Sequence, residues 1–124
     1  SPVATASPTL FADVTLTAGV ALPIDADTEE RAVYLISGDI DIAGDRFTAG
    51  RLLVFRPGDR ITVTAVSDAH LVLLGGAAMD GPRHIWWNFV SSRKERIEQA
   101  KADWKLARFD TVPGDDQEFI PLPE

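Results

Sequence analysis

The chain has no cysteine, two histidines (His70 and His84), one methionine and one tyrosine among its 124 residues. Without thiols there is no zinc–thiolate site, no disulfide scaffold and no cysteine nucleophile. Two imidazoles cannot build a poly-histidine metal centre. Positive charge is also scarce, with 12 Lys and Arg against 19 Asp and Glu for a net charge of −7. That argues against direct binding to a nucleic-acid backbone, which needs a basic patch. No apolar run approaches the roughly 18 residues of a membrane helix, so no membrane partner is expected. The start lacks the basic and apolar regions of a secretory signal, which gives a cytoplasmic expectation. The first residues are Ser1-Pro2-Val3 rather than Met, and excision from a longer protein is the simpler expectation. The length suits one domain with a real core.

What is present reads mostly as β-structure. Residues 1–9, with two Ser-Pro pairs, read as a linker. Leu10, Ala12, Val14 and Leu16 then alternate with Phe11, Asp13, Thr15 and Thr17, the period of a half-buried strand. Short apolar runs follow at 32–36, 52–55 and 71–74, with alternating segments around Ile40 and Ile61. Gly or Pro stands at nearly every break. Strands recurring at this roughly 8–12-residue spacing mark a sandwich or barrel of antiparallel strands.

The character changes after Met79. Arg83–Val90 has strand composition, which predicts His84, Trp86 and Asn88 on one face and Ile85, Trp87 and Phe89 on the other. Ser92-Arg93-Lys94-Glu95 reads as a capping box. It predicts a helix over 93–107 with Ile97, Ala100 and Trp104 as its apolar stripe. The domain expectation is therefore a linker at 1–9, a barrel at 10–92, and a helix with an extended tail at 93–124.

Gly19, Gly38, Gly50 and Gly58 fall at the intervals of the two cupin-barrel sequence motifs. In those motifs a His-x-His pair, a Glu and a further His hold a metal, because neutral nitrogen and oxygen donors suit iron, manganese or nickel. Here the slots hold Asp25, Asp27, Arg31 and Ile61, and Arg56 stands at the second motif's Pro. A guanidinium cannot ligate a cation.

The run GPRHIWWNFVSSRKERIEQAKADWKLARF, the later PGDDQEFIPLP and the segment EERAVYLISGDIDI at 29–42 closely resemble the pirin family, over nearly the whole chain. Pirins are bicupins, two barrels in one chain. The N-terminal barrel carries the metal through three His and a Glu, and the C-terminal barrel does not. The family includes iron-binding transcriptional co-regulators and bacterial quercetin dioxygenases. The resemblance therefore implies an all-β, cupin-type (jelly-roll-like) barrel with one C-terminal helix and an extended tail. It implies no cofactor in this chain, with iron or another divalent metal confined to an absent N-terminal cupin. The expected role is non-catalytic: to support and contact that cupin. One alternative makes the parent a metal-dependent quercetin 2,3-dioxygenase, with this domain shaping its pocket. Another is a stand-alone cupin binding a small molecule in an empty barrel.

Particular residues carry competing readings. Asp25 and Asp27 could anchor a hard cation or substrate. The favoured reading is a solvated acidic loop screened by Arg31, since charged residues are mostly exposed. A third reading sends Arg31 into the barrel mouth to pair with an Asp. Ile85, Trp87 and Phe89, with Trp104 on the helix, are expected in a core. Arg83, His84, Trp86 and Asn88, with Phe119 and Ile120 of the tail, are the interface candidates. Phe119, Ile120 and Leu122 are expected to anchor the acidic tail to a barrel surface. His70 and His84 are the groups with ordinary pKa values near neutrality, but no nucleophile or carboxylate stands beside either in sequence. No catalytic residue is expected in this chain. An uncovered half could self-associate as a homodimer.

Overall fold

A computed structural model describes residues 3–115 and 117–123. Ser1 and Pro2 of the linker, Asp116 of the acidic tail and Glu124 lie outside the described residues. The chain divides into two compact units, the first ending at Ala78 and the second starting at Met79.

The first unit contains eight strands: β1 (Thr9–Leu16), β2 (Ala21–Ile24), β3 (Glu30–Ser37), β4 (Asp39–Ile42), β5 (Asp45–Thr48), β6 (Arg51–Phe55), β7 (Ile61–Ala65) and β8 (Ala69–Gly76). They form two four-stranded antiparallel sheets, ordered β1-β8-β3-β6 and β2-β7-β4-β5. This is the expected cupin-type β-fold. Leu16, Ile24, Val33, Leu35, Ile40, Val63 and Leu71 are buried in its centre. Each such side chain contributes about 1.5–3 kcal/mol through lost apolar contact with water. The barrel interior is thus lined by an aliphatic core.

The glycines of the cupin frame all adopt left-handed backbone, with φ of 82°, 81°, 85° and 81° at Gly19, Gly38, Gly50 and Gly58. Gly38 is the most constrained. It joins β3 to β4, and a Cβ there would run into the backbone of Asp68 and Ala69. The β4–β5 hairpin closes through Ala43 and Gly44, with φ of 55° and 92°. Positive φ at both turn residues is the geometry that matches strand twist in a two-residue hairpin. The Asp41 Oδ1 atom accepts from the Gly44 N–H at 3.0 Å and steadies the turn.

The second unit holds β9 (His84–Trp86), β10 (Phe89–Ser91) and α1 (Lys94–Lys105). The continuous strand predicted over 83–90 is instead a hairpin. Trp86 pairs with Phe89, Ile85 with Val90 and His84 with Ser91, and these strands pair with each other rather than with the barrel sheets. The chain reverses at Trp87-Asn88, with Trp87 at φ 50°. Left-handed backbone is costly for a bulky residue, so nothing in the residue types announced the turn. The reversal redistributes the predicted faces. Trp86 lies on the same side as Phe89, while Ile85 and Val90 face out at 72% and 62% exposure.

The helix also differs from expectation at both ends. It starts after Arg93, which has extended backbone and no side-chain cap hydrogen bond, so Ser92 and Glu95 form no capping box. Because β10 runs to Ser91, it is the Ser91 hydroxyl that accepts the Arg93 N–H, at 3.1 Å. At the other end Ala107 adopts φ 49°, Ala107 N–H donates to Trp104 O and Arg108 N–H to Asp103 O. These paired bonds form a Schellman stop, a position usually filled by glycine. The expected stripe is observed, with Ile97 buried and Ala100 and Trp104 half-buried. No described helix is long and apolar enough to cross a membrane.

Candidate functional site

Arg31, the second residue of β3, has the same inward parity as Val33 and Leu35, because alternate strand residues share a face. Its side chain is accordingly buried, at 2% exposure. Nη1 donates to the Asp25 carbonyl at 2.8 Å. Nη2 donates to the Asp59 carbonyl at 2.7 Å and to the Arg56 carbonyl at 3.3 Å. One guanidinium therefore joins the β2–β3 loop to the Arg56-Pro57-Gly58-Asp59 turn between β6 and β7. Nε has no hydrogen-bond partner. Burying this charge costs free energy that its carbonyl hydrogen bonds must offset. Charge-assisted bonds of this kind are worth about 1.5–3 kcal/mol each.

This geometry corrects two readings. Arg31 does not screen a solvated loop from outside. It does enter the barrel mouth, but it binds carbonyl oxygens rather than a carboxylate. Asp25 and Asp27 lie exposed on the β2–β3 loop, and Ile61 sits half-buried against the aliphatic core. The four slots thus hold two solvent-facing carboxylates, a buried guanidinium and an apolar side chain. That donor set does not fit a transition metal. Five N–H donors and no lone pair stand where a ligand is needed, and their positive charge opposes a cation nearby. Among the described residues, no three His, Asp or Glu side chains converge to hold a metal.

The histidines lie in different units. His70, on β8, contacts Asp13 of β1, with Nε2 and Oδ1 2.7 Å apart on the outer surface of the sheet. Sequence order hid this carboxylate partner, because 57 positions separate the pair. The β1–β8 register brings them to neighbouring rows. His84 sits half-buried on β9 opposite Ser91. A surface depression of about 260 Å³ next to the start of β1 is lined by Pro8, Thr9, Asp27, Thr28, Glu29 and Ala77. It offers two carboxylates and no imidazole.

The remaining candidates belong to the second unit, which is built around stacked aromatic rings. Trp87 and Trp104 meet edge to face at 5.0 Å between centroids, and Phe89 stacks on Phe109 at 5.8 Å. Trp86 is half-buried in this cluster, and Lys101 Nζ lies 4.4 Å from its ring centre. Such cation–π contacts contribute about 0.5–1 kcal/mol at exposed sites. Lys101 also donates to Glu98 at 2.8 Å, and that hydrogen bond holds the Glu98 carboxyl below the usual range. Arg83 does the same to Asp80, donating at 2.7 Å. Asn88 is exposed at the hairpin tip. The tail is fixed by the helix: Trp104 Nε1 donates to the Ile120 carbonyl at 2.8 Å, and Phe119 stacks on the Trp104 ring. The side chains of Phe119 and Ile120 stay largely in solvent.

Comparison with known proteins fits this arrangement. The family described as the Pirin C-terminal cupin domain matches residues 11–110. A Pirin-like protein of Caulobacter vibrioides is 43% identical over 124 residues, covering 100% of this chain but 43% of its own length. The chain thus spans less than half the length of that relative. Among solved structures, a quercetin 2,3-dioxygenase from Acinetobacter baumannii superposes with a TM-score of 0.80 at 20% identity, over 90% of this chain and 40% of its own. A second structure of that description reaches 0.79 at 22% identity, over 100% of this chain and 43% of its own. With the fold, the glycine frame and the family match in agreement, the chain belongs to the pirin family as its C-terminal cupin domain.

Proposed function

We propose that this domain is the non-catalytic half of a bicupin, supporting and contacting an N-terminal cupin that carries the metal. The observation behind this reading is the Arg31 guanidinium, which stands at a ligand slot of the cupin motif and is bonded to three carbonyls. A side chain that braces two loops does there by hydrogen bonding what a ligated metal does elsewhere by coordination. The domain brings no imidazole cluster, no metal and no catalytic residue of its own. Arg83, His84, Trp86, Asn88, Phe119 and Ile120 remain its candidate contacts in the second unit. Cytoplasmic location belongs to the same proposal.

A second reading makes the parent a quercetin 2,3-dioxygenase, supported by the fold likeness to the Acinetobacter baumannii structures. The two readings agree about this chain, which shapes a neighbour's pocket at most. The test is oxygen uptake with quercetin by the purified 124-residue chain, supplied separately with iron, manganese and nickel. No turnover above that of the free metal is expected. Saturable turnover by the chain would overturn the non-catalytic assignment.

A further inference from the structure

We infer that the outer face of the β1-β8-β3-β6 sheet is the surface on which the parent's N-terminal cupin docks, which rests on the bicupin reading above. Cross-strand register sets Phe11, Leu74, Ala32 and Val54 in one row across all four strands, and Val72, Tyr34 and Leu52 in the next, which Asp13 closes on β1. Phe11 and Val54, on the two edge strands, are 72% and 74% exposed. The second sheet of the same unit is an internal control. Its outward positions on the three strands β7, β4 and β5 are Thr62, Thr64, Asp39, Asp41, Arg46 and Thr48, the polar set expected of a solvated antiparallel face, with only Ala21 and Pro23 of the edge strand β2 apolar. One sheet therefore follows the apolar-in, polar-out rule and the other breaks it over adjoining rows. Contiguous apolar patches of this kind mark interaction surfaces on soluble proteins.

The occupant follows from shape and chain length. The Caulobacter vibrioides relative matches this chain end to end with 43% of its length, leaving more than half outside the match. That is enough polypeptide for a second barrel of this size. A sheet face covered by apolar side chains is best covered by another sheet face, packed about 10 Å away. The Asp13–His70 pair borders the apolar rows and supplies a polar margin, as interface rims do.

The test compares two double variants in the full-length parent: Phe11→Lys with Val54→Lys, and Thr48→Lys with Thr62→Lys on the polar outer face of the second sheet. Thermal unfolding of the wild-type parent is expected as one coupled transition. The first pair should split it into two, and the second should leave it single. The 124-residue chain carrying Phe11→Lys and Val54→Lys should keep its circular dichroism and melting temperature, because both positions are exposed. A single transition in the first variant, with splitting in the second, overturns the sheet face but leaves the bicupin reading intact. Loss of dimerisation with the two domains still coupled overturns it in favour of a second copy. A parent with no upstream cupin defeats both the inference and the reading beneath it.

Discussion

Arg31 and Asp59 stand 28 positions apart, yet Arg31 Nη2 donates to the Asp59 carbonyl oxygen at 2.7 Å. The same guanidinium reaches the Asp25 carbonyl through Nη1. The barrel mouth is therefore braced by a side chain, and its removal leaves carbonyls that water must satisfy. Arg31→Met should destabilise the first unit by on the order of 2–3 kcal/mol. Arg31→Lys should recover only part of this, since one ammonium cannot fork between two loops. Urea unfolding of the chain measures both. An Arg31→Met variant as stable as wild type would show the brace to be idle.

Two alanines occupy left-handed backbone where glycine or asparagine fits better. Ala107 ends the helix at φ 49° and Ala43 opens the β4–β5 turn at φ 55°. Ala107→Gly and Ala43→Asn should each stabilise by about 0.5–1 kcal/mol, seen as a higher midpoint in chemical unfolding. A lower midpoint for either would contradict the turn geometry described here.

The tail is held to the helix in part by an indole N–H. Trp104→Phe keeps a ring among the aromatics but removes the bond to the Ile120 carbonyl. The expected outcome is a loss of about 1 kcal/mol and faster amide exchange or proteolysis within residues 117–123. Unchanged protection there would mean that stacking of Phe119 on the ring suffices.

Glu98 ties a pH dependence to Lys101. The Lys101 hydrogen bond lowers the folded-state pKa of Glu98 below its unfolded value. The stabilisation is therefore present above the unfolded pKa and disappears as pH falls through the folded one. In Lys101→Met the Glu98 titration, followed by NMR, should move up toward the ordinary carboxylate range. Glu98 is exposed, so salt should have the same effect in weaker form.

Much of this fold was legible in the residues. The alternation of Leu10, Ala12, Val14 and Leu16 gave β1 its inner face, and the glycines at 19, 38, 50 and 58 gave the cupin frame. Parity with Val33 and Leu35 could have turned Arg31 inward, but its acidic neighbours Glu29 and Glu30 made a solvated charge run the natural reading. The apolar outer sheet face was hidden differently. In the runs 32–36, 52–55 and 71–74 both faces are apolar, so the alternation that separates inside from outside is absent. Runs of this kind are what a strand covered on two sides would have, as the proposed docking of an N-terminal cupin requires. The 84–91 hairpin had no such trace, because its left-handed position is a tryptophan held by ring packing against Trp104. The Asp13–His70 pair emerges only from strand register.

The central claim is that a guanidinium holds this barrel mouth in place of a metal ion. It is tested most directly by elemental analysis of the purified chain after incubation with iron and with manganese, followed by desalting, with melting temperature measured with and without chelator. The account predicts metal far below stoichiometry and no change in melting temperature. One tightly held ion per chain, with a melting temperature that falls on chelation, would contradict it.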